Sequence, residues 1–500
     1  MSEIGVVWDS KGDIFHFGLK NNYNVSFGEI IRVASGNRSF YARVTNVESG
    51  YTLKQEELLK EMMGSEGFGP FSKYRSIEAQ LMLEANEKGL RLPSSNPSCG
   101  EKVFTACEDD HRILGVEGDL NIGYLRSGSQ QTTPVGIKMS SLPKHIGLFG
   151  MTGSGKTNTE LMINACVLDT PGTVGVIFDF HGELWEGKGL GKGLREHPFF
   201  PTRGSFYTGT DVRIGRRTLR TSDVFEMFPD LTSSQHRACR ELERQIGDNW
   251  VQQVIESELP QNLKSHKQSV EAVLRRLSDL SPDVFPDDNF SIADKIVNGL
   301  KEGITALVDL SGLGTDDQKR ITCVIARRAA SEYKRLFQRK PERWCLLPQL
   351  LITVEEAHEF LDRDPEKRTF FSNIALTYRK YRVGLCVVTP RPSRIDPDVF
   401  AELWTKIIMK TAFKRDRVYI VENTPHLEYS DVEIKILDKG EALLVSEPHI
   451  RFAVPIKTIY YLEYLANKKR IDYCLPESNP LEGTGEAIKK LKSASLHASS

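Results

Sequence analysis

The chain has 500 residues, more than one ordinary hydrophobic core holds, which predicts roughly two to four domains. Hydrophobic residues at 39% and charged residues at 27% exclude a disordered chain. No apolar run reaches the roughly 18 residues of a spanning helix, and Met1–Ser10 lacks the basic and apolar regions of a signal peptide, so a cytoplasmic protein is expected. A formal net charge of −1 excludes a uniformly basic surface, so any hold on nucleic acid must come from cations gathered on one small surface, such as the lining of a pore.

Short alternating runs at Ile4–Trp8, Ile14–Leu19, Glu29–Val33 and Tyr41–Val47, separated by Gly, Asn and Ser, predict a small β-barrel. Residues 54–91 read as helix from Leu58, Leu59, Met62, Leu81, Leu83 and Leu90, an insertion in the barrel. Val103–Ala106 and Asn121–Leu125 are expected to return to it. Ser127–Thr133 is polar and reads as a linker. From His145 the pattern changes to buried-strand runs alternating with helical spacing, the signature of a parallel sheet with crossover helices. These runs are Ile146–Phe149, Val174–Phe180, Ile304–Leu310, Gln349–Val354, Leu385–Thr389, Lys406–Thr411 and Glu441–Ser446. Residues 215–300 interrupt them with helical spacing at Cys239, Leu242, Ile246 and Val270, Val273, Leu277. The expected division is a barrel with its insertion over 1–130, a sheet-and-helix core over 131–214 and 301–476, a helical insertion over 215–300, and a Ser-, Gly- and Lys-rich tail over 477–500. The eight cysteines form no CxxC pair, so reduced, mostly buried thiols are expected rather than a zinc or redox site.

Gly150-Met-Thr152-Gly153-Ser154-Gly155-Lys156-Thr157 fits the phosphate-loop pattern GxxxxGK[ST] in full. Its glycines let backbone N–H groups point at phosphate oxygens, and the helix that follows adds its positive end. Lys156 is expected on the β- and γ-phosphates, Thr157 on Mg2+, and Asn158 beside them. Leu350–Val354 is an apolar strand ending in Glu355 and Glu356. One carboxylate suits the metal shell and the other the attacking water; Glu355 is assigned to the first and Glu356 to the second. Phe178-Asp179-Phe-His181-Gly-Glu183 also ends an apolar strand. Its acids fit either the metal or a solvated turn. Arg379, Arg327 and Arg328 are rival candidates for an arginine that reaches a neighbouring subunit's γ-phosphate.

The segments Gly150-MTGSGKTNT, Ile177-FDFHGEL, Ile352-TVEEAHEFL, Arg379-KYRVGL and Gly440-EALLV resemble the HerA family of prokaryotic DNA-translocating ATPases, within the FtsK–HerA class. Ile4-GVV and Ala42-RVTNV look like the family's barrel, and Asn121-IGYL like its closing strand. The resemblance implies an α/β, RecA-like P-loop ATPase core with a parallel-dominated sheet, an N-terminal barrel and a helical insertion. It implies ATP and Mg2+ held by Lys156, Thr157, Glu355, Asp179 and Glu183, with Glu356 as the catalytic acid. It favours Arg379 as the trans-acting arginine, and implies a homo-hexamer with double-stranded DNA in its channel. Two departures stand out. The family's Gln-Arg-Pro string is Pro390-Arg391-Pro392 here, which removes an amide donor and leaves the γ-phosphate-sensing role to Thr389. The stretch before Arg379 reads Ala375-Leu-Thr-Tyr where the family commonly has Arg-Glu-Gly.

Two loops are expected to meet DNA: Trp185–Arg195, with Lys188, Lys192 and Arg195, and Asp362–Arg368, with Lys367 and Arg368. Glycine flexibility with spaced cations suits sequence-independent phosphate contact, and a solvated surface loop is the equal alternative. The expected activity is ATP-driven DNA translocation of helicase type, coupled to a NurA-like nuclease or another effector such as a sirtuin-like NADase, in DNA end processing or antiviral defence. The alternative is an ATP-regulated scaffold that assembles an effector without translocating. A conjugation or secretion motor would be expected to carry a membrane anchor, and none is seen.

Overall fold

The computed structural model describes residues 2–51, 73–87, 89–127, 133–256, 267–364 and 369–472. Most of the expected linker, the expected C-terminal tail, and Lys367 and Arg368 lie outside them.

Seven strands make the N-terminal unit: β1 (Glu3–Lys11), β2 (Ile14–Leu19), β3 (Ile30–Ser35), β4 (Arg38–Tyr51), β5 (Lys73–Asn86), β6 (Gly89–Arg91) and β7 (Lys102–Thr105). Their order is β2-β1-β7-β3-β4-β5-β6, and β2 also pairs with β5, which closes six of them into an antiparallel barrel. Closure removes the sheet edges that would otherwise expose unpaired N–H and C=O groups. Residues 73–86 are a strand and not the expected helix. Ile77, Ala79 and Leu81 point into the barrel core with polar residues between them, a period of two that the neighbouring leucines obscured.

Eleven strands make the second sheet. They are β8 (Leu120–Leu125), β9 (Pro134–Ile137), β10 (Ile146–Phe149), β11 (Thr173–Asp179), β12 (Gly204–Tyr207), β13 (Thr305–Asp309), β14 (Gln349–Val354), β15 (Val383–Thr389), β16 (Thr405–Met409), β17 (Glu441–Ser446) and β18 (Ile450–Thr458). The order is β12-β13-β11-β14-β15-β10-β16-β17-β18-β8-β9, parallel from β12 to β16 and antiparallel beyond. The fold class is therefore α/β, a RecA-like P-loop core joined to a small barrel. The strand Asn121–Leu125 does not return to the barrel: β8 pairs with β18 and β9 at the far end of this sheet. Its Leu120, Ile122 and Leu125 are buried with Leu161, Met162 and Ala165 of the helix Lys156–Asp169, a burial the barrel would not provide.

The parallel strands are buried on both faces, which is why their sequences read as continuous apolar runs. Val174, Val176, Phe178, Leu350 and Ile352 face one core. It is shared with the helices Thr221–Met227, Ser233–Ile246, Ile292–Lys301 and Thr315–Arg339. Ile177, Leu351, Cys386 and Val388 face the other, under the helix Lys156–Asp169. The helices between 221 and 301 thus pack onto the same core as the sheet.

A buried ion cluster joins the two units. Arg43 of β4 and Glu433 of the helix Asp431–Ile436 are each 1% exposed and meet at 2.9 Å; Arg126 reaches the other carboxylate oxygen at 3.0 Å. Arg43 also donates to Ser430 Oγ at 2.8 Å.

Candidate active site

In an open parallel sheet, ligands bind at the carboxyl ends of the strands. Register fixes which ends lie side by side: Phe149 of β10 is opposite Thr389 of β15, and Val354 of β14 lies between Phe178 of β11 and Val387 of β15. The loops after β10, β15, β14 and β11 therefore open onto one crevice. They carry Gly150–Thr157, Thr389, Glu355 with Glu356, and Asp179 with Glu183.

The glycine-rich loop is shaped by close approach. A Cβ on Gly150 would sit 2.7 Å from Ser154 Oγ and 2.8 Å from Met409 Cβ. Gly153 and Gly155 have φ of 82° and 107°, backbone that L side chains rarely adopt. Neighbouring strands hold the loop: Met151 N–H donates to Lys410 O at 2.8 Å, and Gly440 N–H donates to Ser154 O at 2.9 Å. Lys156 begins the helix and donates from Nζ to Met151 O at 3.1 Å, lying across the loop's mouth beside Thr152. Thr157 Oγ1 donates to Glu183 Oε2 at 3.3 Å. Asn158 faces inward instead. Its amide bridges Ile459 O and Tyr461 N, each at 2.9 Å, so its side chain is spent on tying this helix to the end of the sheet.

The acids differ in what they do. Glu355 is 7% exposed and accepts from Phe180 N–H at 3.1 Å. Burial, with Asp179, Glu183 and Glu356 nearby, pushes its carboxyl up to about 8. Asp179 is fully buried and accepts from Glu183 N–H at 3.0 Å and Leu184 N–H at 2.8 Å, so it builds the turn that aims Glu183. Glu356 is more open, and its backbone sits at φ 45°, a strained value for a non-glycine residue. His358 Nδ1 lies 3.4 Å from its carboxylate and 3.1 Å from Thr389 Oγ1; His181 Nε2 lies 4.0 Å away on the other side. Thr389 is fully buried and also accepts from Arg391 N–H at 3.0 Å. Thr389 and Glu356 thus share one imidazole.

Among the described residues this donor set suits a hard divalent cation: the Thr157 hydroxyl and the carboxyls of Glu183 and Glu355 converge where carboxyls outnumber cations. Glu160, one turn beyond Lys156, adds to the excess. It is 1% exposed, and burial together with Glu355 and Asp179 raises its carboxyl well above the usual range. Sequence reading missed Glu160, although an acid directly before the apolar run Leu161–Ile163 of a buried helix is an unusual inward position. It also missed the two-sided role of His358.

The arginines separate cleanly. Arg327 and Arg328 are buried on the helix Thr315–Arg339 and are bonded to Asp223, Arg328 at 2.7 Å, so neither can reach another subunit. Arg379 is exposed, with its guanidinium 4.4 Å over the Trp404 ring. It precedes β15, at the end of the strands opposite the glycine-rich loop, about 20 Å away along a seven-residue strand. It cannot serve its own crevice.

The loop Trp185–Arg195 is internally bonded: Lys188 N–H donates to Glu183 O at 3.1 Å and Arg195 N–H to Trp185 O at 3.1 Å. Lys192 and Arg195 are exposed, and Arg195 lies 3.8 Å from Glu186. Lys188 is exposed as well, but it also borders the glycine-rich loop. With Thr152, Lys156 and Thr157 it lines a cavity of about 510 Å3 that opens from the glycine-rich loop. No helix among the described residues is long and apolar enough to cross a membrane.

Residues 120–329 match the family model described as helicase HerA, central domain. The chain is 28% identical over 385 residues to the DNA double-strand break repair helicase HerA of Sulfurisphaera tokodaii, covering 74% of this chain and 75% of that protein. It is 26% identical to the protein of the same name from Saccharolobus solfataricus, over 75% of each. The one from Pyrococcus furiosus is 22% identical, over 87% of this chain and 88% of that one. Among solved structures, VirB4 of Thermoanaerobacter pseudethanolicus superposes with a TM-score of 0.47 at 15% identity, covering 68% of this chain and 96% of that one.

Proposed function

Since this chain belongs to the HerA family, we propose that it is a DNA-translocating ATPase of helicase type that works as a homo-hexameric ring. The observation that carries the reading is the convergence of Lys156, Thr157, Glu355, Glu356 and Thr389 on one crevice from strands whose register sets them side by side.

The substrate is ATP. Backbone N–H groups of residues 153–157 and Lys156 hold its phosphates, and Lys156 swings from Met151 O to reach them. A Mg2+ bound by Thr157 with Glu355 and Glu183 would withdraw charge from the phosphoryl oxygens. Glu356 orients water for attack and takes its proton, in a posture set by the strained backbone and by His358. Because Thr389 shares that imidazole, a change at the γ-phosphate end is felt at Glu356. Pro390 cannot supply the amide donor of the family's string, and the buried Thr389 hydroxyl takes its place. Arg379, too far from its own crevice, serves that of the next subunit, where a guanidinium stabilises charge in the transition state. Lys192 and Arg195 meet DNA, and an effector of the nuclease or NADase kind docks on the barrel, whose Trp8 is 56% exposed and Val6 39%.

The test is ATP hydrolysis by the purified protein with and without duplex DNA, using Glu356→Gln as control. Stimulation by DNA, with a fall of about 100-fold or more in the variant, is the expected result. Hydrolysis indifferent to DNA but altered by a co-purifying partner would replace this reading with the ATP-regulated scaffold.

A further inference from the structure

The cavity beside the glycine-rich loop has walls that nucleotide-binding motifs do not explain. Four lysines line it and no acid does: Lys156, Lys188, Lys439 and Lys457. Lys188 and the hairpin pair Lys439 and Lys457 come from segments far apart in the chain, and among the described residues none of the three forms an ion pair with a carboxylate.

Lys457 is held in place by the β17–β18 hairpin. Its Nζ donates to Lys439 O at 2.8 Å and lies 3.8 Å from where a Cβ on Gly440 would be. Gly440 is itself fastened to the glycine-rich loop through its bond to Ser154 O at 2.9 Å, and a Cβ on Gly155 would come within 3.2 Å of Gly440 N. The ammonium group therefore rides on the flank of that loop, with two of its three N–H bonds still to give. Lys188 approaches from the opposite wall. Its Nζ is 3.2 Å from the Cβ position of Gly182, in the turn whose Glu183 receives the Thr157 hydroxyl. Gly187, Gly189 and Gly191, at φ of 68°, 78° and 85°, fold the loop back so that the exposed Lys188 borders the cavity.

A cavity with several cations, no acid in its lining and a mouth at a phosphate-binding loop matches a polyphosphate chain. We propose that Lys188 and Lys457 bind the nucleotide's phosphates, gripping them from two sides so that the loop 185–195 and the β17–β18 hairpin close on bound ATP. The inference rests on the ATPase reading and adds two residues to it. It also takes Lys188 out of the DNA-contacting set.

The experiment uses the full chain. Equilibrium binding of fluorescent ATP and ADP analogues is measured for the wild type and for Lys156→Ala, Lys188→Gln, Lys457→Gln, Lys188→Arg and Lys457→Arg, together with duplex DNA binding without nucleotide. The expected result is about a tenfold or greater loss of ATP affinity in each Gln variant. Recovery of most of that loss in the Arg variants and DNA affinity within about twofold of wild type complete the expected pattern, since a misfolded protein would not be rescued by Arg. Wild-type nucleotide affinity in both Gln variants, with Lys156→Ala impaired, overturns the proposal and leaves the ATPase reading standing. So does a loss of DNA affinity in Lys188→Gln with ATP binding intact. A wild type that binds no nucleotide overturns both.

Discussion

His145 shows how a single side chain can set an acid limit. It precedes β10, is 1% exposed, accepts from Leu385 N–H at 3.0 Å and donates to Ala375 O at 2.9 Å. The bond from Leu385 requires an unprotonated Nδ1, and burial first, then the charge of Arg379, lowers the pKa to about 4 against the bond to Ala375 O, which favours the charged ring. The unfolded imidazole takes a proton near 6.5, so between 6.5 and about 4 unfolding takes up a proton that the folded state refuses. The stability from the neutral ring is complete above 6.5 and is lost as pH falls towards 4, by about 3 kcal/mol in all. Urea unfolding of wild type and His145→Gln at pH 7.5 and 4.5 checks this: the wild type should lose more on acidification, and parallel losses would refute it. At this scale the motif residues were legible because their chemistry demands fixed spacing: Gly150–Thr157 and Glu355–Glu356 are contiguous. Lys457 and Glu160 were not, because their roles depend on which strand or helix turn comes to lie beside the motif.

The helix Thr315–Arg339 is joined to the short helix Thr221–Met227 by one carboxylate. Asp223 is fully buried, bonds to Arg327 Nε at 3.1 Å and Arg328 Nη2 at 2.7 Å, and also receives Arg220 N–H at 2.9 Å. Asp223→Ala would strand two buried guanidinium groups, with an expected loss of about 3–5 kcal/mol in denaturant unfolding. A loss under about 1 kcal/mol would mean that water reaches the cluster. The sequence offered both arginines as catalytic candidates because an adjacent Arg pair looks the same whether it is buried or exposed; only the partner, more than a hundred residues earlier, tells them apart. Strand legibility failed for a different reason. Buried parallel strands announce themselves as apolar runs, as β11 and β14 do. In β5 the polar residues alternate, and Leu81 and Leu83 also fit a helical count once Leu90 is added.

At the scale of the whole molecule, Arg379 lies before β15 and the glycine-rich loop after the adjacent β10, at opposite ends of neighbouring parallel strands, so the proposed role of Arg379 calls for a second copy. Mixing is the direct check. Lys156→Ala and Arg379→Ala subunits, each expected to be about 100-fold or more impaired alone, should recover hydrolysis when assembled together. The mixture supplies some crevices with one intact residue from each copy, and failure to recover would place Arg379 outside the reaction.

The Arg43–Glu433 contact has a mechanical side. Glu433 adjoins Ile434, whose carbonyl receives Thr411 N–H at 3.4 Å; one residue back, Lys410 O receives Met151 N–H from the glycine-rich loop at 2.8 Å. From barrel wall to phosphate cradle there are only three non-covalent joints, the first a charge pair sealed from solvent and therefore stiff. Such a linkage has little backlash. A load hung on the barrel would reach the cradle through these joints, and a motor geared this way would feel its cargo's drag in the speed of its own fuel cycle.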